Sequence, residues 1–103
     1  MTIHHLKVWP EFYSGLADGS KTAEVRWNDR GFKVGDMLHL YEYIPGHGAT
    51  GRWVTRTIGR VDDLAHLTGT DRLAHLTLEG WVLLSFAPTV PDPEPSGFEE
   101  ERA

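Results

Sequence analysis

The sequence predicts a mainly-β α+β fold: a small, partly closed β-barrel of about five or six strands with one or two short helices. Three observations carry this. Short runs with period-2 alternation of apolar and polar residues recur along the chain. Glycine- and proline-bearing turns separate them. Helical spacing is confined to residues 10–17 and, less regularly, to 62–79. The 103 residues suffice for one domain and not two.

In chain order, Ile3 to Val8 alternates as an opening strand. Pro10 at a first helical position, Glu11 in the first turn and the Phe12/Leu16 spacing predict a short helix over 10–17, stopped by Asp18-Gly19. Residues 22–28 form a charged strand, followed by a turn-rich connection from Asp29 to Asp36. Met37 to Tyr43 is a third strand, with Leu38 and Leu40 on one face and His39, Tyr41 and Tyr43 on the other. The stretch Ile44 to Gly51, with three glycines and a proline, reads as a loop. Arg52 to Val61 is a long strand rich in β-branched residues. Leu64-Ala65-His66-Leu67-Thr68 returns as Leu73-Ala74-His75-Leu76-Thr77, which predicts two short helical or looped turns over 62–79. The apolar run Trp81 to Phe86 is a buried closing strand. The domain therefore covers residues 1–87, and the acidic, proline-rich segment 88–103 is expected to be a disordered tail.

Composition narrows the function. The chain has no cysteine, which excludes thiolate nucleophiles, disulfides and cysteine-ligated zinc and suits a reducing cytoplasm, the expected location. No run of about 18 apolar residues predicts a membrane span, and the first residues lack the apolar stretch of a secretion signal. The net charge of −5 is uneven. Residues 91–103 carry −4, whereas residues 21–60 carry +3, with Lys21, Arg26, Arg30, Lys33, Arg52, Arg56 and Arg60 against Glu24, Asp29, Asp36 and Glu42. A modest basic region suits a local phosphate or anion site and argues against a long groove that tracks duplex DNA.

The densest chemistry lies in Gly19-Ser20-Lys21-Thr22-Ala23-Glu24-Val25-Arg26. Thr22, Glu24 and Arg26 share one parity; Ala23, Val25 and Trp27 take the other and are expected to face the core. Glu24 and Arg26 then lie roughly 7 Å apart at the Cα level, spaced to hold a small polar ligand between them. Arg26 offers a planar fork to a phosphate or base edge, Lys21 a point charge, and Glu24 an acceptor for an exocyclic amine or a 2′-hydroxyl. Glu24 beside Lys21 favours the ammonium, which disfavours Lys21 as a general base.

The pattern Gly-x-Lys-x-x-Glu-x-Arg, met by Gly19, Lys21, Glu24 and Arg26, resembles the signature of the ASCH superfamily. The longer string from Lys21 to Asp36, with His5 to Pro10, the Gly51-Arg52 to Ile58 strand and Gly80 to Leu84, resembles its small phage and bacterial branch of domain of unknown function 3850. The likeness covers roughly residues 4–86. It implies a PUA-like barrel in which the signature Lys, Glu and Arg face a cleft thought to receive RNA or a nucleotide. One ASCH subfamily hydrolyses acetylated cytidine with a lysine and a threonine nucleophile. Lys21 and Thr22 match that part of its pattern, but Glu24 occupies the nucleophile's place, so a nucleoside amidohydrolase-like reaction does not carry over.

The expected function is therefore binding of single-stranded RNA or a nucleotide in a cleft lined by Lys21, Glu24, Arg26, Arg30 and Arg56, with Trp9 and Phe32 at its border. Arg56, between Val54 and Ile58, is expected to be partly buried and to pair with Glu24, or else with Asp29. Two alternatives stand beside it. One is a hydrolase of an acylated nucleoside or of RNA, with Lys21 in the site, Glu24 as general base and Thr22 or water attacking. The other is an accessory module that docks a protein through its acidic tail. Trp27 is assigned to the core, and Tyr41 and Tyr43 stay open between stacking and plain surface. No cofactor is expected, nor a metal, since the six histidines show no ligand spacing.

Overall fold

A computed structural model of the chain describes residues 1–68 and 71–88. Among them, the alternating segment Ile3–Val8 forms β1, buried at every second residue. Helix α1 follows over Pro10–Asp18 and ends at Gly19, whose φ of 84° closes the last turn. Strand β2 spans Ala23–Trp27, β3 Met37–Ile44, β4 Gly48–Asp63 and β5 Trp81–Phe86. Between β4 and β5 lie a 3-10 turn, Leu64–Thr68, and α2, Arg72–Leu78. The fold is mainly β, α+β, as the sequence predicts. The segment 89–103, including nearly all of the expected tail, lies outside the described residues.

The strands form one sheet in the order β1-β3-β4-β5-β2. Strand β1 runs parallel to β3, from Ile3 opposite Met37 to Val8 opposite Glu42, a pairing that α1, β2 and the following loop make possible as a crossover. Strand β4 is long enough to serve both halves. Its first part pairs with β3 and its last part with β5, with a register shift between Ile58 and Arg60. Gly59 sits at that shift because a Cβ there would lie 2.9 Å from the backbone of Ala87.

One expectation is corrected. The stretch 44–51 is not a loop: β3 and β4 meet in a hairpin in which only residues 45–47 turn, and His47 N–H donates to Ile44 O at 2.9 Å. Gly46 and Gly48 hold φ values of 84° and 104° there. The glycines meet the backbone demand of a tight turn, which composition alone cannot separate from a loop. The sheet does not close into a barrel. Strands β1 and β2 are both edges, with no backbone ladder between them.

The core joins Leu6 and Val8 of β1, Leu16 of α1, Leu38 and Leu40 of β3 and Leu84 of β5. Two buried carboxylates tie the rim. Asp36 accepts from His4 Nε2 at 2.9 Å and from the amides of Thr2 and Lys33. Glu42 takes a bidentate Arg52 at 2.8 and 2.9 Å and the Thr50 hydroxyl. These bonds hold both carboxyls below their ordinary pKa, His4 contributing most at Asp36 and Arg52 at Glu42. Carboxyls with a depressed folded pKa stabilise the fold above the unfolded value and lose that contribution as pH falls through the folded one. Stability followed by circular dichroism should therefore hold from neutrality to about pH 4 and fall below it. Glu42→Gln should lower neutral stability and flatten that acid limb; an unchanged limb would contradict the assignment.

Candidate cleft between the two edge strands

The register of β2 against β5 decides which of its faces turns inward. Glu24 pairs with Leu84 and Arg26 with Val82, both buried core residues, so the charged parity of β2 faces the interior. The expectation that Ala23, Val25 and Trp27 form the core face is thereby overturned. Val25 and Trp27 are half exposed. Inward-pointing charge on an edge strand also discourages edge-to-edge pairing with another sheet.

A buried carboxylate needs partners, and Glu24, with a side chain 9% exposed, has two. Lys21 Nζ donates to Oε1 at 2.6 Å and Arg26 Nε to Oε2 at 2.9 Å. Glu24 and Arg26 are thus in direct contact and not held apart around a ligand. Lys21 is positioned from the helix side, where its amide donates to Gly15 O at 2.9 Å, and its ammonium also reaches Ala23 O. Arg26 has a second task. Its Nη2 crosses the gap between the sheet edges and donates to Lys7 O of β1 at 2.7 Å. Arg30 does the same one pair of residues away, Nη1 donating to His5 O at 2.9 Å. Two guanidiniums therefore stand where a barrel would have a ladder. Among the described residues, no partner is seen for Nη1 of Arg26.

The loop carrying Arg30 is pinned at both ends. Phe32 N–H donates to Asn28 Oδ1 at 3.1 Å and Lys33 N–H to Asp36 Oδ2 at 3.2 Å. Phe32 is buried, with the His4 ring against it at 4.7 Å.

What results is an open cleft of about 620 Å³ between β1, the start of α1 and β2. Lys21, Glu24, Arg26, Arg30, Trp9 and Phe32 line it. So do Lys7 and Asp29; the Lys7 ammonium lies away over the Tyr43 ring, so three cations face two carboxylates, a local charge of +1 in a chain of −5. The remaining walls are apolar: Leu6, Val8 and Val25 with the rings of Phe12, Trp27 and Trp81, the last two edge-to-face at 5.6 Å. The arrangement can offer cationic donors to an anion beside rings that flank a flat group.

Two predicted residues stand apart. Arg56 is not in the lining and pairs with neither Glu24 nor Asp29. Its Nη1 donates to Thr55 O and its Nη2 to Leu16 O, at the C-terminal end of α1. That end has unsatisfied carbonyls and the negative pole of the helix, and α1 has no basic residue of its own in the last turn. Thr22 is exposed and also outside the lining.

Sequence reasoning missed Lys7, Phe12, Trp27 and Trp81. The signal for the tryptophans was Gly80: with φ of 90°, it leaves the space that the Trp27 ring occupies, where a Cβ would lie 2.5 Å from Trp27 Cη2. Among the described residues, no three histidines or carboxylates group as metal ligands, and no helix is long and apolar enough to cross a membrane.

A sequence model of the family described as Domain of unknown function (DUF3850) matches residues 3–86. Over 63 residues the chain is 38% identical to the "Uncharacterized 12.9 kDa protein in GpA 3'region" of Escherichia phage P2, a match spanning 61% of this chain and 57% of that protein. The chain thus covers little more than half the length of this relative.

Proposed function

The chain belongs to the DUF3850 family, and from that premise we propose that it binds RNA, with one nucleotide of a single strand held in the cleft between β1 and β2. The observation that carries this is the convergence of Lys21, Arg26 and Arg30 beside aromatic walls, in a lining of net positive charge. A phosphate suits the cations and a base suits the rings. The Lys21–Glu24–Arg26 signature adds the likeness to the ASCH superfamily, in which the same side chains face the nucleotide cleft. A single strand is favoured over a duplex because the cationic surface is small and base edges must be reachable.

Binding is favoured over hydrolysis by the state of Glu24. Both its oxygens already hold a cation, and Thr22 lies outside the cleft. Glu24 serves to orient Lys21 and Arg26, not to take a proton from water. The test uses the cleft's own tryptophans. In a Trp53→Phe variant, whose emission comes from Trp9, Trp27 and Trp81 alone, titrating nucleoside monophosphates and short RNA oligomers should change the fluorescence with salt-dependent affinity and without product. Unchanged emission with every nucleotide and oligomer would remove the proposal; turnover of an acylated nucleoside would replace it with the hydrolytic reading.

A further inference from the structure

The outer face of the half-sheet β1-β3-β4 carries aromatic side chains that the described residues leave partly or wholly exposed. The inward positions of β1 and β3 are buried, so residues 5, 7, 39, 41 and 43 point the other way, with Trp53 and Thr55 beside them on β4. His39 stands at the centre. Its ring centroid is 4.9 Å from those of His5 and Trp53 and 6.0 Å from that of Tyr41, with which it is stacked. Trp53 is 55% exposed. Lys7 extends over the Tyr43 ring at 4.4 Å, which places an ammonium on the same surface.

We infer that this face is a second nucleic-acid surface, a stacking platform formed by His39, Tyr41 and Trp53 for bases that continue from the strand held in the cleft. Charge selects the occupant. None of the outward positions on β1 (3, 5 and 7), on β3 (37, 39, 41 and 43) or on the paired part of β4 (53, 55 and 57) is acidic, in a chain of net charge −5. Glu42, the acid of β3, is buried on the opposite face. A surface of rings, imidazoles and one lysine, with Ile3, Met37, Thr55 and Thr57 beside them and no carboxylate, suits an anionic backbone carrying flat bases. The rings lie on adjacent strands spaced roughly 4.8 Å apart, a width over which exposed sheet aromatics stack two or three bases.

Position supports the same occupant. Strand β1 is the edge that separates the two surfaces, and Lys7 belongs to both. Its carbonyl takes Arg26 in the cleft, while its ammonium lies on the platform. A single strand leaving the cleft crosses β1 to reach Tyr41 on β3, with Trp53 one strand further on β4 and Lys7 placed to meet a phosphate on the way. This rests on the cleft reading for the choice of nucleic acid, and it extends the ligand from one nucleotide to several.

The test compares fluorescein-labelled single-stranded RNA of three and of ten nucleotides by anisotropy, with wild type, Trp53→Ala and Arg26→Ala. The ten-mer should bind wild type at least about tenfold more tightly than the three-mer, and Trp53→Ala should remove most of that gain while leaving the three-mer within about twofold. Arg26→Ala should weaken both. If Trp53→Ala binds the ten-mer like wild type while Arg26→Ala does not, the platform is wrong and the cleft stands. If Trp53→Ala alone weakens binding, the platform stands and the cleft falls. Sedimentation as a dimer that Trp53→Ala dissociates, with no gain from the longer RNA, would assign the face to a second copy of this chain and overturn the inference.

Discussion

Replacing Arg26 with alanine is expected to weaken binding of a mononucleotide or short RNA by roughly 10- to 100-fold, the range for losing a hydrogen bond to a charged group. The size follows from three roles in one side chain. Nε fixes Glu24, Nη2 bridges to Lys7 O across the open edge, and Nη1, without a partner among the described residues, is the donor offered to the proposed ligand. Arg26→Lys should recover little, because an ammonium lacks the planar fork that serves Glu24 and the β1 carbonyl together. The salt dependence then tells what Arg26 touches. If it meets a phosphate, the slope of log affinity against log salt should become shallower by about 0.7 in the variant. If it reads a base edge, affinity should fall with the slope unchanged. Binding by Arg26→Ala within about twofold of wild type would remove this residue from the site.

Gly80→Ala is expected to cost about 2–3 kcal/mol of stability, a fall of roughly 10 °C or more in Tm for a domain of this size. Two causes add. The backbone at Gly80 has φ of 90°, which a side chain rarely tolerates, and the new Cβ would lie 2.5 and 2.6 Å from Trp27 Cη2 and Cζ3. Trp27 must swing away, losing its edge-to-face contact with Trp81 and opening one wall of the cleft. The variant should therefore show both a lower melting temperature and an altered near-ultraviolet dichroism of its tryptophans. A variant that keeps the wild-type Tm and aromatic spectrum would show that Trp27 is not seated on Gly80.

These two residues mark what the sequence could and could not reveal. Local pattern placed β1, α1, β3 and β5 nearly to the residue, because alternation, Pro10 and the Asp18-Gly19 stop act within a few positions. It also grouped Glu24 with Arg26, since residues two apart on a strand share a face. Which face turns inward is a long-range matter. It depends on Glu24 lying opposite Leu84, a partner sixty residues away in the chain. The same blindness affected Arg56, whose partner is the Leu16 carbonyl at the end of α1 and not an acid. Trp27 looked like core because apolar parity on a half-buried strand ordinarily is; here β2 turns its charges inward and leaves its tryptophan to wall the cleft.

The same geometry explains how an open sheet can hold a site. A ladder between β1 and β2 would close the barrel and leave no room for a ligand. Two arginines span the gap instead, leaving it hollow and positively charged.

The most direct measurement is a nitrogen-15 NMR titration with a short single-stranded RNA that follows backbone amides together with the arginine side-chain signals. The account predicts that the side chains of Arg26 and Arg30 and the amides of residues 21–30 shift together at the lowest RNA concentrations. Shifts confined to other parts of the protein, with those signals unmoved at saturation, would contradict it.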